Sequence, residues 1–154
     1  TVDTVHNSVW MASWVGEESG RYLYEYDLST GKYKRNVHLQ PVPQCIQGVY
    51  AYNGDLYVTA DDGTADEKEP DHIYRVEISD KNNEARVVLE KTLDDIRDVG
   101  EVEGLNVNSK TKQLLVNANR GKQIVLGMPK GFYPGYDREI SEIYFYDMKP
   151  RCNK

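Results

Sequence analysis

Gly100-Glu101-Val102-Glu103-Gly104-Leu105-Asn106-Val107-Asn108-Ser109-Lys110-Thr111-Lys112-Gln113-Leu114-Leu115-Val116-Asn117-Ala118-Asn119-Arg120-Gly121 is the stretch whose reading decides the fold. Val102, Leu105 and Val107 mark one short strand, and Leu114, Leu115 and Val116 a second, with a polar turn between them. Strand, turn and strand bring the glutamate at the start beside Asn119-Arg120 at the end.

The same pattern stands elsewhere in the chain. Ser8-Val9-Trp10-Met11-Ala12-Ser13-Trp14-Val15-Gly16 aligns without gaps with Asp55-Leu56-Tyr57-Val58-Thr59-Ala60-Asp61-Asp62-Gly63 and with Gln113 to Gly121. The closing glycines are 47 and 58 residues apart, and each suits a backbone that needs positive φ or a tight exit. A second set follows each match: Tyr22 to Asp27, His72 to Glu77 and Glu142 to Asp147, all ending in an acidic residue. Polar turns then lead to Tyr33–Leu39 and Ala85–Leu93, which read as outer strands. Gln47 to Asn53 and Glu103 to Asn108 precede the matches, and Asn53-Gly54 is a hairpin signal.

Four short strands recurring at this length describe the blades of a β-propeller; a β-sandwich with accidental similarity is the plainer alternative. The expectation is an all-β fold of about three four-stranded antiparallel blades, over about 1–43, 44–99 and 100–154. Thr1 to Val5 falls where the first strand of a blade belongs, and Leu93 to Val99 is too short for more than a turn. About three blades would be half of a ring of about six. The other half is expected to be an upstream segment or a second copy of the chain, because three blades leave open faces and strand edges.

Composition narrows the partners. The 154 residues suffice for a core, and 12 Tyr against 2 Phe suit half-buried pleated surfaces. A net charge of −6 argues against nucleic acid as the default partner, because phosphate binding needs a basic face. No run reaches the roughly 18 apolar residues of a membrane span. Compartment is left open. Cys45 and Cys152 are expected at opposite ends of the strands, too far apart for a disulfide.

In a propeller blade the start of the first strand and the end of the second meet near the central channel. That collects Gln47, Asp61 and Asp62 from one unit and Glu103, Asn119 and Arg120 from the next, with Trp14 as the first unit's representative. Convergent oxygens suit a hard cation such as calcium, or else they cap strand ends and bond one another. Val102-Glu103-Gly104-Leu105 followed by Gln113 to Asn119 resembles the calcium-dependent propellers that include gluconolactonases, paraoxonases and esterase-like relatives. The resemblance implies calcium held by Glu103, Asn119 and Asp61 or Asp62, opening an ester or lactone. The family glutamate usually lies in an early blade, whereas Glu103 lies in the last one here. Beside that hydrolase reading stands a ligand- or protein-binding propeller with Gln47, Asp62, Arg120, Trp14 and Tyr133 at its recognition surface.

Gly121 to Glu139, which carries Tyr133, is a long apolar and aromatic loop that could cover the channel mouth or form an extra hairpin. Thr64 to Asp71 reads as an acidic, solvated connection. His6, His38 and His72 lack metal spacing, and Tyr24, Tyr74 and Tyr144 recur once per unit as packing residues.

Overall fold

A computed structural model describes residues 1–15, 18–63, 69–96, 101–119 and 143–150. Apart from a short 3-10 turn at Glu18–Arg21, the described elements are all strands. They are β1 (Val2–Asp3), β2 (Ser8–Ala12), β3 (Tyr22–Asp27), β4 (Tyr33–Gln40), β5 (Ile46–Tyr52), β6 (Asp55–Ala60), β7 (His72–Glu77), β8 (Glu84–Thr92), β9 (Glu101–Asn108), β10 (Gln113–Asn119) and β11 (Tyr144–Asp147). The all-β expectation holds. Gly16, Gly121, Cys152 and the 121–139 loop lie outside the described residues.

Each strand pairs antiparallel with its chain neighbour inside three sets: β1 to β4, β5 to β8, and β9 to β11. Turn chemistry fixes the registers. Asn53 and Gly54 have φ of 52° and 80°, the double positive φ of a two-residue hairpin turn, and Tyr52 faces Asp55 across it. Asn7 and Lys112 also take positive φ, in the β1–β2 and β9–β10 turns.

One feature departs from separate blades. β4 and β8 pair in parallel, His38 to Gln40 against Glu84 to Arg86, and merge the first two sets into one eight-stranded sheet. Arg35 holds that junction, donating from Nη1 to the Ser79 and Asn82 carbonyls at 3.0 and 2.9 Å. The sheet's two edges, β1 and β5, also approach: the Ala51 N–H donates to Thr1 Oγ1 at 3.2 Å. The β9–β11 set forms a separate sheet.

Two cores follow. Trp10, Leu23, Val37, Leu39, Ile46, Leu56, Val58, Val76, Ala85 and Val87 fill the space between the first two sets. Tyr57, Ile73, Leu93, Val102, Val107, Leu114, Val116 and Tyr146 fill that between the second and third. β6 lies between both, so Leu56, Tyr57, Val58, Thr59 and Ala60 are all buried, with alternate side chains serving opposite cores. Tyr74 packs against the first core and Tyr144 against the second, as expected of packing tyrosines. β5 and β9 run so close that a Cβ on Gly48 would sit 2.8 Å from the Glu103 carbonyl oxygen and 2.8 Å from Thr59 Oγ1. Only glycine leaves that room.

Glu25 is the buried charge of the first core, 1% exposed. It accepts from Ser8 Oγ at 2.5 Å, Lys34 Nζ at 2.6 Å and Arg35 Nε at 2.6 Å. Burial opposes its ionisation, but the bonds from Lys34, Ser8 and Arg35 prevail and hold its pKa below the usual glutamate range. Its contribution is therefore present above the ordinary pKa of 4.5 and lost as pH falls through the lowered value. Glu25→Ala leaves Arg35 and Lys34 without their anion. We expect a loss of about 3 kcal/mol in urea unfolding at neutral pH, since half of a buried pair remains. The difference from the wild type should shrink at acidic pH.

Candidate functional site

The polar residues cluster where β5 begins, β6 ends and β7 begins. Beyond Ala60 the chain leaves the ladder, and the Asp61 N–H donates to the Cys45 carbonyl at 3.0 Å, which turns Asp61 towards Gln47. The Asp61 carboxyl is hydrogen-bonded to Gln47 and to Asp71. Asp71 is 5% exposed, and its oxygens accept the Val102 N–H at 2.9 Å and the Gly63 N–H at 3.2 Å. One carboxyl thus ties the loop after β6 to the start of β9.

Asp62 turns the other way. Its Oδ1 lies 2.7 Å from His72 Nδ1, and its Oδ2 accepts the Tyr74 hydroxyl at 2.6 Å. β7 presents His72 and Tyr74 on one face by its two-residue period. Burial, and then the Asp62 contact, raise the Tyr74 pKa. Gly63 earns its place by crowding and not by positive φ, because a Cβ there would meet the Glu69 carbonyl oxygen at 2.4 Å.

Two carboxyls bonded to each other cannot both ionise cheaply. Burial, reinforced by the Asp61 charge and opposed by the Val102 and Gly63 N–H groups, pushes Asp71 up to about 7. Asp61 is also raised, first by burial and then by the Asp62 charge, against the bonds from Asp71 and Gln47. The pair therefore shares a proton near neutral pH and titrates as a unit. Asp71 is sealed in, whereas Asp61 and Gln47 are only half-buried and offer the accessible side.

The expected site residues fall out as follows. Gln47 and Asp61 come together, and Asp62 stands next to them but serves His72 and Tyr74. Glu103 lies on β9, and its backbone carbonyl accepts Thr59 Oγ1 at 2.5 Å. Asn119 ends β10 with its backbone opposite Glu101, and its side chain lies outside the description. Arg120 and Tyr133 lie outside the described residues. Trp14 follows β2 and is 57% exposed. Among the described residues no three His, Cys, Asp or Glu side chains form a group that could hold a metal ion.

Asp71 corrects the reading of 64–71 as a solvated connection: its end is buried and structural. Sequence reasoning also missed His72 and Tyr74. The alternation of β7, which puts both on the face beside Asp62, is the signal that could have found them. The recess lined by Glu77, Ile78, Ser79, Asn82, Glu84 and Arg86 lies at the opposite end of β7, where Glu77 pairs with Arg75 at 3.3 Å and Arg86 at 3.5 Å.

No protein-family model, curated protein or solved structure matches this chain.

Between pH 3.8 and about 7 the folded pair holds a proton that unfolded aspartates release. Stability should therefore fall as pH rises through that window. The check is the urea midpoint measured from pH 5 to pH 8: wild-type protein should lose stability upward, and Asp61→Asn should flatten the slope.

Proposed function

We propose that this chain is a section of a β-propeller, about three blades of a ring of about six, that acts as a binding module. The carrying observation is β6, buried on both sides between strand sets of the same order. Support also comes from the first strands of successive sets, β1, β5 and β9, which lie against each other, as strands around a common axis would. The recognition surface is the strand-end cluster of Gln47 and Asp61, backed by Asp71 and flanked by Asp62, His72 and Tyr74.

The chemistry of that surface favours a cationic ligand. Asp61 supplies a half-buried carboxyl and Gln47 an amide, with the Asp62 carboxyl beside them. An amine or guanidinium group would gain charge-assisted hydrogen bonds there. The alternative, a calcium-assisted ester or lactone hydrolase through Glu103, Asn119 and Asp61, would need about 6–8 oxygen ligands. Among the described residues no three His, Cys, Asp or Glu side chains group to hold such an ion, so binding is the better supported reading.

Calorimetry separates the two. Spermidine and calcium chloride are titrated separately into the wild type, Asp61→Asn and, as a control, Asp80→Asn, whose carboxylate is exposed. Spermidine heat that disappears in Asp61→Asn and survives in Asp80→Asn supports the cationic site. Calcium binding lost in Glu103→Gln would favour the hydrolase. Neither response would remove this surface as a recognition site.

A further inference from the structure

Several aligned positions in the three sets are apolar throughout but differ in exposure. Met11, Val58 and Val116 correspond in sequence; Val58 and Val116 are 0% exposed, while Met11 is 55% exposed. Val9 corresponds to Leu56 and Leu114; both of those are buried, and Val9 is only half-buried. These are backward-facing positions. Leu56 and Val58 pack on the set before theirs, Leu114 and Val116 likewise, and Val9 and Met11 have no described set before them.

Forward-facing positions show the converse. Leu23, Ile73 and Ile143 correspond; Leu23 and Ile73 are 0% exposed because the following set covers them, and Ile143 is 57% exposed. Trp10 and Tyr57 are buried under the following set, while their counterpart Leu115 belongs to neither core. Phe145, paired with Leu115 across the ladder, is exposed on the same face.

Among the described residues the chain therefore makes one kind of interface twice, forward face onto backward face, and one half of each kind has no described partner. From this we propose that the Leu115–Ile143–Phe145 face of one copy seats on the Val9–Met11–Tyr24 face of a second copy. The inference rests on the stacked-set reading above. Such a contact is heterologous, and it closes into a two-copy ring if the rotation per set allows six sets around one axis. Exposed apolar side chains on each end are otherwise an aggregation liability. The occupant is a second copy because both complementary halves stand on one molecule.

Light scattering on the purified chain tests this. The expected mass is twice 17.7 kDa. Met11→Asp and Phe145→Asp each spoil one face, at side chains too exposed to be needed for folding, and each alone should run as a monomer. Mixed together they should form a dimer again, since one good face remains on each. Leu28→Asp, at an exposed site on neither face, should stay dimeric. A monomeric wild type, a dimer indifferent to both variants, or no recovery on mixing would each overturn the proposal. So would a longer chain that is monomeric and protects Met11 and Ile143 with further units of its own.

Hydrogen exchange on the Met11→Asp monomer separates this failure from failure of the stacking itself. β6 amides exchanging about tenfold slower than those of β2 and β10 keep the stacked-set reading whatever the mass. Equal exchange in all three strands would remove that reading and the self-association with it.

Discussion

An antiparallel sheet with apolar side chains on both faces cannot stand alone in water, and β6 is the strand where that constraint is fully met. Leu56 and Val58 point into one core, while Tyr57 and Thr59 face the other set, so the five consecutive residues Leu56 to Ala60 are buried. Burying a side chain of this size is worth roughly 1.5–3 kcal/mol, and only a layer on each side collects it twice. The positions of β1–β4 and β9–β11 follow from that demand. So does Gly48, where the backbones of β5 and β9 come too close for any side chain.

Apolar layers can slide, and buried polar groups fix their register. Glu25 gathers Ser8, Lys34 and Arg35, and Arg35 reaches on to the Ser79 and Asn82 carbonyls of the second set. Asp71 binds the Val102 N–H of the third set. Glu90, also buried, accepts the Lys149 N–H at 2.6 Å and ties β8 to the segment after β11. Each is an acid that a neighbouring set must satisfy. A buried acceptor left unpaired costs more than a pair gains, so these groups act mainly by penalising misplaced layers.

Much of this was legible in the sequence because strands and turns are local. Asn53-Gly54, the alternation of Tyr22 to Asp27 and the run from Asp55 to Ala60 each announce their own geometry. The acidic groups were harder to see. Glu25 looks like one more solvent-facing residue of a tyrosine strand until its parity is set against Leu23 and Trp10, which place it on the buried face. Asp71 closes a loop, and nothing local reveals that Val102, 31 residues later, needs its oxygen. The fusion of β4 to β8 was equally hidden, since it depends on how far two outer strands twist across their neighbours. Gln47 and Asp61 were foreseen together because strand order alone brings their backbones to one end of the sheet.

The same constraint explains where the aligned side chains can diverge. Backward-facing positions in a stack are committed to packing, and the aligned residues there are apolar: Val9, Leu56 and Leu114, or Met11, Val58 and Val116. Strand ends carry no such commitment. One step past the packed run, the aligned residues are Trp14, Asp61 and Asn119, an indole, a carboxyl and an amide. Uniform chemistry on the backward face and divergent chemistry at the ends lets a scaffold hold its shape while a surface varies. The Asp61–Asp71 pair marks the boundary between these roles. Its buried member anchors β9, and its half-buried member turns the same proton-sharing contact towards solvent.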